Sequence, residues 1–435
     1  MSLATVRLPE AIARATPLRP RGRITRIAGL AVEAAIDGVR MGELVKIATP
    51  GRSPLVAEVV GVREERAVLI PLGDLAGIGL DGEVVPTGRP LTVRVGEALL
   101  GRILDGLGRP IDGRPPPVGL DEWPVSRSPP PPLARRRIAD PLALGVRAID
   151  ALATIGEGQR VGLFAGPGVG KSTLLGQIAR NTRAELSVIC LVGERGREVR
   201  ELVEDALGPE GLARSVVVAA TSDEPALVRR EAAHVATAIA EWFAERGRKV
   251  LFMLDSLTRY ARAQREVGLA AGEPPARQGH PPSVFAALPR LLERTGNRAT
   301  GGITALYTVL VAGGDMEEPI ADEVRGLLDG HVVLDRRLAE RGQFPAVDVL
   351  ASLSRAMPAV TSEAHRAAAS RLRALLAAHD RHRDLIAVGA YRRGADPDTD
   401  AALERMPAIE AFLRQAPSDR EELDATLARL AGLVA

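Results

Sequence analysis

The 435-residue sequence contains a single cysteine, Cys190. One cysteine excludes an internal disulfide framework and is consistent with a reducing cytosol. Cys190 lies in the apolar run LSVICLVG, which predicts a small buried side chain in a strand rather than a reactive thiol.

Aromatic residues are also scarce, at 3% of the sequence, and no Phe, Tyr, Trp or His precedes Trp123. Proteins that bind single-stranded RNA generally stack its bases on aromatic side chains beside basic residues. The 57 basic and 55 acidic residues leave a net charge of +2, which is too small to indicate binding to nucleic acid or to a membrane. We therefore expect no nucleic-acid partner.

Long apolar runs are absent as well. The first residues lack the apolar core of a signal peptide, and no window approaches the roughly 18 uninterrupted apolar residues of a membrane span. We expect a cytoplasmic protein whose contact with a membrane is peripheral and is made through partners.

The patterning of apolar residues divides the chain into four parts. Short alternating runs broken by Gly and Pro predict a small β-barrel, and a later alternation of strands and helices predicts an α/β domain with a parallel sheet. The Ala/Leu/Arg-rich end predicts helices. The predicted parts are a tail at 1–22, a barrel at 23–92, the α/β domain at 93–345 and a helical domain at 346–435.

Two further features of the α/β domain follow from its composition. Residues 106–141 are dense in Pro and Gly, which predicts an ordered linker or, alternatively, a polyproline ligand for a recognition domain. The candidate strands are Val161–Ala165, Ser187–Gly193, Ser215–Ala220, Lys249–Asp255, Ile303–Val311 and His331–Leu334.

The stretch GPGVGKST, residues 166–173, follows one of these strands and precedes a helical pattern. It carries the end of the P-loop pattern G-x-x-x-x-G-K-[ST], although Ala165 stands at the first Gly position. Backbone N–H groups of such a turn cradle phosphates, Lys171 would reach the β- and γ-phosphates, and Ser172 would ligate Mg²⁺. The predicted ATP-binding residues of this turn are Gly166, Pro167, Gly168, Val169, Gly170, Lys171, Ser172 and Thr173.

Two carboxylates are placed to serve the same site. Asp255 ends the apolar strand KVLFMLD, where a P-loop protein needs a carboxylate for the Mg²⁺ shell. Glu194 follows another strand, at the edge where open α/β sheets bind their ligands. It could orient a water in line with the γ-phosphate, or it could be a helix-start Glu favoured by the macrodipole, and spacing alone leaves both open.

Five stretches considered together resemble one known family. They are GPGVGKST, GERGREVREL, DSLTRYARAQREVGLAAGEPPAR, PPSVFAALPRLLERTGN and FPAVDVLASLSRAMP. The combination is similar to the type III secretion export ATPases, which are related to flagellar export ATPases and to the catalytic subunits of rotary ATP synthases. From about Gly22 onward, the resemblance implies a small N-terminal β-barrel, an α/β RecA-like P-loop domain and a C-terminal helical domain.

The resemblance also implies roles for particular residues. Glu194 would be the catalytic carboxylate and Arg195 a neighbouring arginine on the phosphate side. Arg355, in SLSRAM, would be an arginine finger that reaches the γ-phosphate of the next subunit. Phe344 stands where the family usually has a Tyr against the adenine, and a Phe keeps the stacking face.

The implied assembly is a homohexamer, because one chain carries the P-loop, the catalytic carboxylate and the finger. The resemblance implies Mg-ATP as substrate, a central stalk, peripheral stator proteins and chaperone–substrate complexes as partners, and a place at the inner membrane face of the secretion apparatus. The acidic loop with Asp315, Glu317 and Glu318 resembles the segment that faces the central stalk, although it could be a solvated surface loop.

Several functions remain open at this point. The stretch AAIDGVRMGEL resembles the corresponding stretch of the non-flagellar branch, and this resemblance favours that branch, with the flagellar export ATPase as the alternative. A subunit of a rotary synthase or vacuolar-type pump, a hexameric RNA translocase and a nucleotide-binding scaffold that does not hydrolyse ATP are the others.

Overall fold

The structure is a computed structural model that describes residues 20–49, 51–63 and 66–435. Most of the predicted N-terminal tail, residues 1–19, lies outside the described residues. The chain divides into two compact units, one with the residues up to Leu91 and Glu266–Pro274, the other with Thr92–Arg265 and Pro275–Ala435. In the described ranges, no helix has both the length and the apolar character needed to cross a bilayer.

Six strands of the first unit close into a barrel in the order β1-β2-β5-β4-β3-β6. Alternate side chains point inward, and Val32, Val45 and Val59 are fully buried in its core. The strands are β1 Gly22–Ala28, β2 Ala31–Ala35, β3 Glu43–Ala48, β4 Leu55–Arg63, β5 Arg66–Pro71 and β6 Glu83–Pro90. The predicted small β-barrel is therefore confirmed.

The second unit is built on a nine-stranded sheet with the order β17-β16-β10-β15-β13-β11-β12-β8, and β14 pairs beside β15. Its strands are β8 Ile103–Asp105, β10 Arg160–Ala165, β11 Leu186–Glu194, β12 Ser215–Thr221, β13 Lys249–Asp255, β14 Gly296–Asn297, β15 Gly302–Leu310, β16 Gly330–Leu334 and β17 Val347–Ser354. Strands β7 (Thr92–Val95) and β9 (Asp121–Pro124) form a separate pair. The six candidate strands agree with the observed ones to within one residue, and the α/β class is confirmed.

The interior strands are buried on both faces, as a parallel sheet covered by helices requires. All nine residues of β11 are buried, including Cys190, and burial raises the pKa of its thiol above the usual range. The apolar run around Cys190 thus forms an interior strand, as predicted.

The edge strand β17 begins after the boundary predicted at residue 345 and pairs antiparallel with β16. Its sequence VDVLASLS does not read as an unbroken apolar run, because an edge strand has one face exposed. Leu350 and Leu353 are 40% and 48% exposed. The sheet therefore extends through Ser354.

Helices cover the sheet and form the C-terminal part. They are α1 Arg147–Leu152, α2 Lys171–Asn181, α3 Gly196–Glu201, α4 Gly208–Ala213, α5 Ala226–Glu245, α6 Leu257–Ala270, α7 Pro282–Leu292, α8 Pro319–Leu327, α9 Arg336–Glu340, α10 Met357–Val360, α11 Glu363–Arg381, α12 Arg383–Ala387, α13 Pro397–Leu413 and α14 Leu423–Val434. Helices α11, α13 and α14 pack on one another and on α1, and they bury Leu372, Leu375 and Phe412. The C-terminal part is helical, as predicted.

Arg147 on α1 joins the sheet domain to the C-terminal helices. Its side chain is buried, its Nε donates to Phe412 O at 2.8 Å, and its guanidinium pairs with Glu421 at 2.8 Å. A further nitrogen donates to Arg414 O. The guanidinium thus satisfies two carbonyls and a carboxylate in a region with little solvent.

Arg147→Ala is expected to lower the free energy of unfolding by about 3–5 kcal/mol, because it removes the donor to two carbonyls and leaves Glu421 with only the more exposed Arg429 as partner. Urea denaturation measures this change. Arg371→Ala is the matched control, since the Arg371–Asp398 pair at 2.7 Å is exposed and should contribute about 0–1 kcal/mol. Equal losses in both variants would contradict the role given to Arg147.

Candidate active site

The glycine-rich turn lies at the carboxyl end of β10, which ends at Ala165, and α2 begins directly after it at Lys171. Gly170 has a φ of +83°, which disfavours any residue with a Cβ. A Cβ there would also come within 3.3 Å of the ring of Phe344. The turn therefore needs glycine for its conformation and for the close approach of an aromatic ring.

Three predicted site residues meet at this edge of the sheet. The Nζ of Lys171 donates to Asp255 Oδ1 and lies 3.5 Å from Glu194 Oε1. Asp255 ends β13, and the hydroxyl of Thr308 on neighbouring β15 donates to its Oδ1 at 2.6 Å. Because parallel strands end at the same edge, a lysine, an aspartate and a glutamate far apart in sequence form one cluster.

Glu194 is the last residue of β11 and is only 4% exposed. Arg259 donates to its Oε2 at 3.1 Å, whereas its Oε1 is buried without a hydrogen-bond partner. Burial raises the pKa of Glu194 to about 7, and a hydrogen bond with Glu198 and the charge of Asp255 add to the effect. The carboxylate thus lies inside the cluster, with Oε1 at ion-pair distance from Lys171 Nζ but accepting no hydrogen bond.

Sequence reasoning missed two members of the cluster, Arg259 and Thr308. Arg259 lies in the first turn of α6, four residues after Asp255, and it also donates to Gly193 O. Its position just beyond a strand-ending aspartate is the feature that could have identified it. Thr308 is found only through the pairing of β15 with β13, which no local pattern reveals.

Arg195 and Phe344 lie at the margin of the cluster. The side chain of Arg195 is 73% exposed and pairs with Glu198 at 3.2 Å instead of entering the cluster. Phe344 is 42% exposed and lies against Gly170 of the turn. A planar ring is therefore available on the surface beside the glycine-rich turn.

Arg355 lies at the end of the strands that is farther from the P-loop. The register pairs Ala165 with Leu334 and Leu334 with Val347 at the P-loop edge, whereas Ser354 pairs with Gly330 at the other. Strand β10 has six residues, so the two ends of the strands are roughly 17 Å apart. Arg355 is exposed, and its side chain cannot reach the P-loop of its own chain.

The oxygen atoms near the turn fit a hard cation. The Ser172 hydroxyl lies on an exposed residue beside Lys171, the carboxylate of Asp255 is buried, and Glu194 Oε1 accepts no hydrogen bond. Within the described ranges, no group of three or more His, Cys, Asp or Glu residues could hold a metal by itself. Mg²⁺ suits such a site, because it binds through one or two protein oxygens, waters and substrate phosphates.

A P-loop at the end of a parallel strand, a strand-ending aspartate and a buried glutamate beside the P-loop lysine define a P-loop nucleoside triphosphatase with a RecA-like sheet. Family profiles agree. Residues 145–354 match the nucleotide-binding domain of the ATP synthase alpha/beta family, 24–88 match its beta-barrel domain, and 361–432 match the T3SS EscN ATPase C-terminal domain.

Individual relatives extend the match over the whole chain. The flagellum-specific ATP synthase of Bacillus subtilis is 52% identical over 95% of this chain and 94% of its own. The type 3 secretion system ATPase of Xanthomonas euvesicatoria is 52% identical over 92% and 91%. The assembled ATPase EscN from the enteropathogenic E. coli type III secretion system has a TM-score of 0.90 at 44% identity, covering 95% of this chain and all of that one.

A second structure of EscN, in complex with its central stalk EscO, has a TM-score of 0.88 at 45% identity, with 95% and 100% covered. The chain belongs to the family of type III secretion and flagellar export ATPases, within the ATP synthase alpha/beta family. It is therefore an ATPase.

Proposed function

We propose that this chain hydrolyses Mg-ATP to power protein export by a type III secretion apparatus, in which it releases chaperones and unfolds the exported proteins. The observation that carries the proposal is the buried Glu194, whose Oε1 lies 3.5 Å from the Nζ of the P-loop lysine and accepts no hydrogen bond. An ATPase needs an acceptor for a water proton beside the γ-phosphate.

Each residue then has a distinct role. The turn from Gly166 to Thr173 binds the phosphates through its backbone N–H groups, and Lys171 holds the β- and γ-phosphates. Ser172 and Asp255 would hold Mg²⁺, which supplies positive charge to the phosphate oxygens when it is bound. Glu194 orients the attacking water and accepts its proton, while Arg259 holds Glu194 in place.

Arg355 completes the pocket of a neighbouring chain, since it lies at the end of the strands opposite to its own P-loop. A closed ring of identical chains gives every pocket such an arginine, and we propose a homohexamer. EscN is an assembled ATPase, which supports an assembly of several chains here. Arg195, exposed beside Glu198, would act on the phosphate side only after a side-chain rotation.

The proposed partners follow from the same relatives. EscN is in complex with a central stalk, and the loop with Asp315, Glu317 and Glu318 offers this chain a corresponding acidic surface, with Asp315 and Glu317 exposed. Peripheral stator proteins and chaperone–substrate complexes would complete the apparatus. The chain would act in the cytoplasm, at the inner membrane face, without nucleic acid.

The flagellar branch is the alternative, because the Bacillus subtilis flagellar relative and the Xanthomonas euvesicatoria secretion relative are each 52% identical to this chain. Deletion of the gene in its own host distinguishes the two. We expect loss of effector secretion with normal swimming, restored by the wild-type chain but not by Glu194→Gln. Loss of swimming with normal secretion would overturn the secretion assignment and favour the flagellar one.

The pKa of Glu194 predicts a pH dependence of the free enzyme. Since this pKa is raised to about 7, the carboxylate is protonated at lower pH and cannot accept a proton. We expect kcat/KM for ATP to fall about tenfold per pH unit below 7 and to level off above it. Glu198→Gln removes one cause of the raised pKa and should move the midpoint to lower pH, whereas an unmoved midpoint would assign the titration to another group.

Phe344 is expected to stack on the adenine. Phe344→Ala should raise the KM for ATP roughly tenfold or more and leave kcat nearly unchanged, because stacking on an aromatic side chain contributes about 1–3 kcal/mol. Phe344→Tyr keeps the ring and should behave like the wild type. Steady-state kinetics measures both variants, and an unchanged KM in Phe344→Ala would place the base elsewhere.

A further inference from the structure

The backbone that presents Arg355 is fixed by a buried polar group. The N–H of Arg355 donates to Asp329 O at 3.0 Å, and the preceding residue, Ser354, is 6% exposed. The side chain of Arg355 itself is exposed. An exposed guanidinium thus extends from a backbone that is held at a defined place.

Gln159 is the centre of this group. It is fully buried, and its Nε2 donates to Asp329 O at 2.9 Å and to Ser354 Oγ at 3.0 Å. Its Oε1 accepts from Gly156 N at 2.8 Å, and its backbone carbonyl accepts from Ala305 N at 2.9 Å. Both amide hydrogens of Gln159 are used, so its orientation is determined.

Asp329 is held from its other side by the first residue of β10. Its carboxylate accepts from the backbone N–H and from the Nε of Arg160, each at 3.1 Å, and its own N–H donates to Arg160 O at 2.9 Å. Arg160 also pairs with Glu293 at 2.5 Å. The carbonyl that receives the Arg355 N–H is therefore tied directly to the strand that leads to the P-loop.

Strands β16 and β17 of the same chain approach each other closely beside Gln159. A Cβ on Gly330 would lie 2.6 Å from Leu353 O and 3.2 Å from Gln159 Nε2. The backbone beside Arg355 thus has no room to shift toward β16 or toward the amide of Gln159.

We propose that Gln159 is the positioning residue for Arg355, so that β10 connects the P-loop of one chain with the arginine that this chain gives to its neighbour. The proposal rests on the proposed function of Arg355 as a finger in trans. Gln159 touches neither ATP nor reacting atoms. It acts through Asp329 O and Ser354, and through them on the ATP pocket of the next chain.

Gln159→Met keeps the length of the side chain and removes its hydrogen bonds. Because displacement of a catalytic group by about 1 Å can cost about 10²-fold in rate, we expect a fall of kcat of that order. ATP affinity, measured by isothermal titration, should stay within about twofold, because the variant's own P-loop is intact. Ser354→Ala removes a single hydroxyl and should shift kcat in the same direction by less.

Mixed assemblies test the direction of the effect. Chains with Glu194→Gln have a defective pocket and a normal finger, whereas chains with Gln159→Met should have a normal pocket and a displaced finger. Where the Arg355 of a Glu194→Gln chain faces the pocket of a Gln159→Met chain, both parts of that ATP site are normal. Single-turnover cleavage of ATP, supplied below the concentration of sites, should therefore be faster in the mixture than in either variant alone.

The reference is a mixture of Glu194→Gln with Arg355→Ala, treated in the same way. A gain in both mixtures supports the proposal. A gain in the reference alone means that Gln159 supports its own P-loop and overturns the proposal. No gain in the reference overturns the finger in trans, and the positioning role with it. If Gln159→Met does not fold, Ser354→Ala takes its place in the mixture with the same outcomes.

Discussion

Replacement of Glu194 by Gln is expected to lower kcat for ATP hydrolysis by about 10³-fold, which is within the range for loss of a general base. The amide keeps the size and the place of the side chain at the end of β11, but it cannot take a proton from water. ATP affinity should not fall, because the proposed phosphate-binding groups, Lys171 and the backbone of the turn, are unchanged. Phosphate release and nucleotide titration on the same preparation measure the two quantities.

Glu201→Gln is the matched control for this variant. Glu201 lies on α3, exposed, and pairs with Arg197 at 3.4 Å on the surface. Its replacement should leave kcat unchanged. Turnover at the wild-type rate in Glu194→Gln would remove Glu194 from the chemistry and leave the raised pKa as a property of a buried structural group.

Arg355→Ala is expected to lower kcat by about 10³-fold or more, since an arginine supplied in trans contributes about 10³–10⁵ in phosphoryl transfer. In the proposed role the guanidinium stabilises the charge on the γ-phosphate only in the transition state, so ATP binding to the P-loop should change little. Arg355→Lys keeps the charge but not the planar fork and should recover only part of the rate.

The control for Arg355 is Arg336→Ala. Arg336 is an exposed arginine whose interaction is a surface pair with Glu340 at 3.0 Å. Its removal should leave kcat within about twofold of the wild type. If Arg355→Ala retained full turnover as an assembled protein, the pocket would be complete within one chain and would not require a neighbouring chain.

The sequence was sufficient for the parts of the site that lie in continuous segments. A glycine-rich turn between a strand and a helix identifies Lys171 and Ser172 locally, and the apolar strand before Asp255 fixes its place at the same edge. For Glu194 the spacing left two possibilities, a carboxylate that orients the attacking water or a glutamate that stabilises a helix start. The structure places its carboxylate beside Lys171 and Arg259, an arrangement that depends on three different strand ends.

What the sequence could not provide are the relations across the sheet. Thr308 reaches Asp255 only because β15 pairs with β13. The position of Arg355 opposite to its own P-loop depends on the antiparallel strand β17, which lacks an unbroken apolar run and lies beyond the predicted end of the sheet domain. Gln159 is a polar residue in a turn, and no motif distinguishes it from a solvated one.

In the proposed mechanism each ATP pocket is built from two chains. The most direct measurement is an experimental structure of the assembled protein with Mg²⁺ and a non-hydrolysable ATP analogue. We expect the guanidinium of Arg355 from the adjacent chain within about 3.5 Å of a γ-phosphate oxygen, opposite Lys171 and Glu194 of the chain that binds the nucleotide. An occupied pocket with the neighbour's Arg355 directed into solvent, or with Glu194 outside the reach of a water at the γ-phosphate, would contradict it.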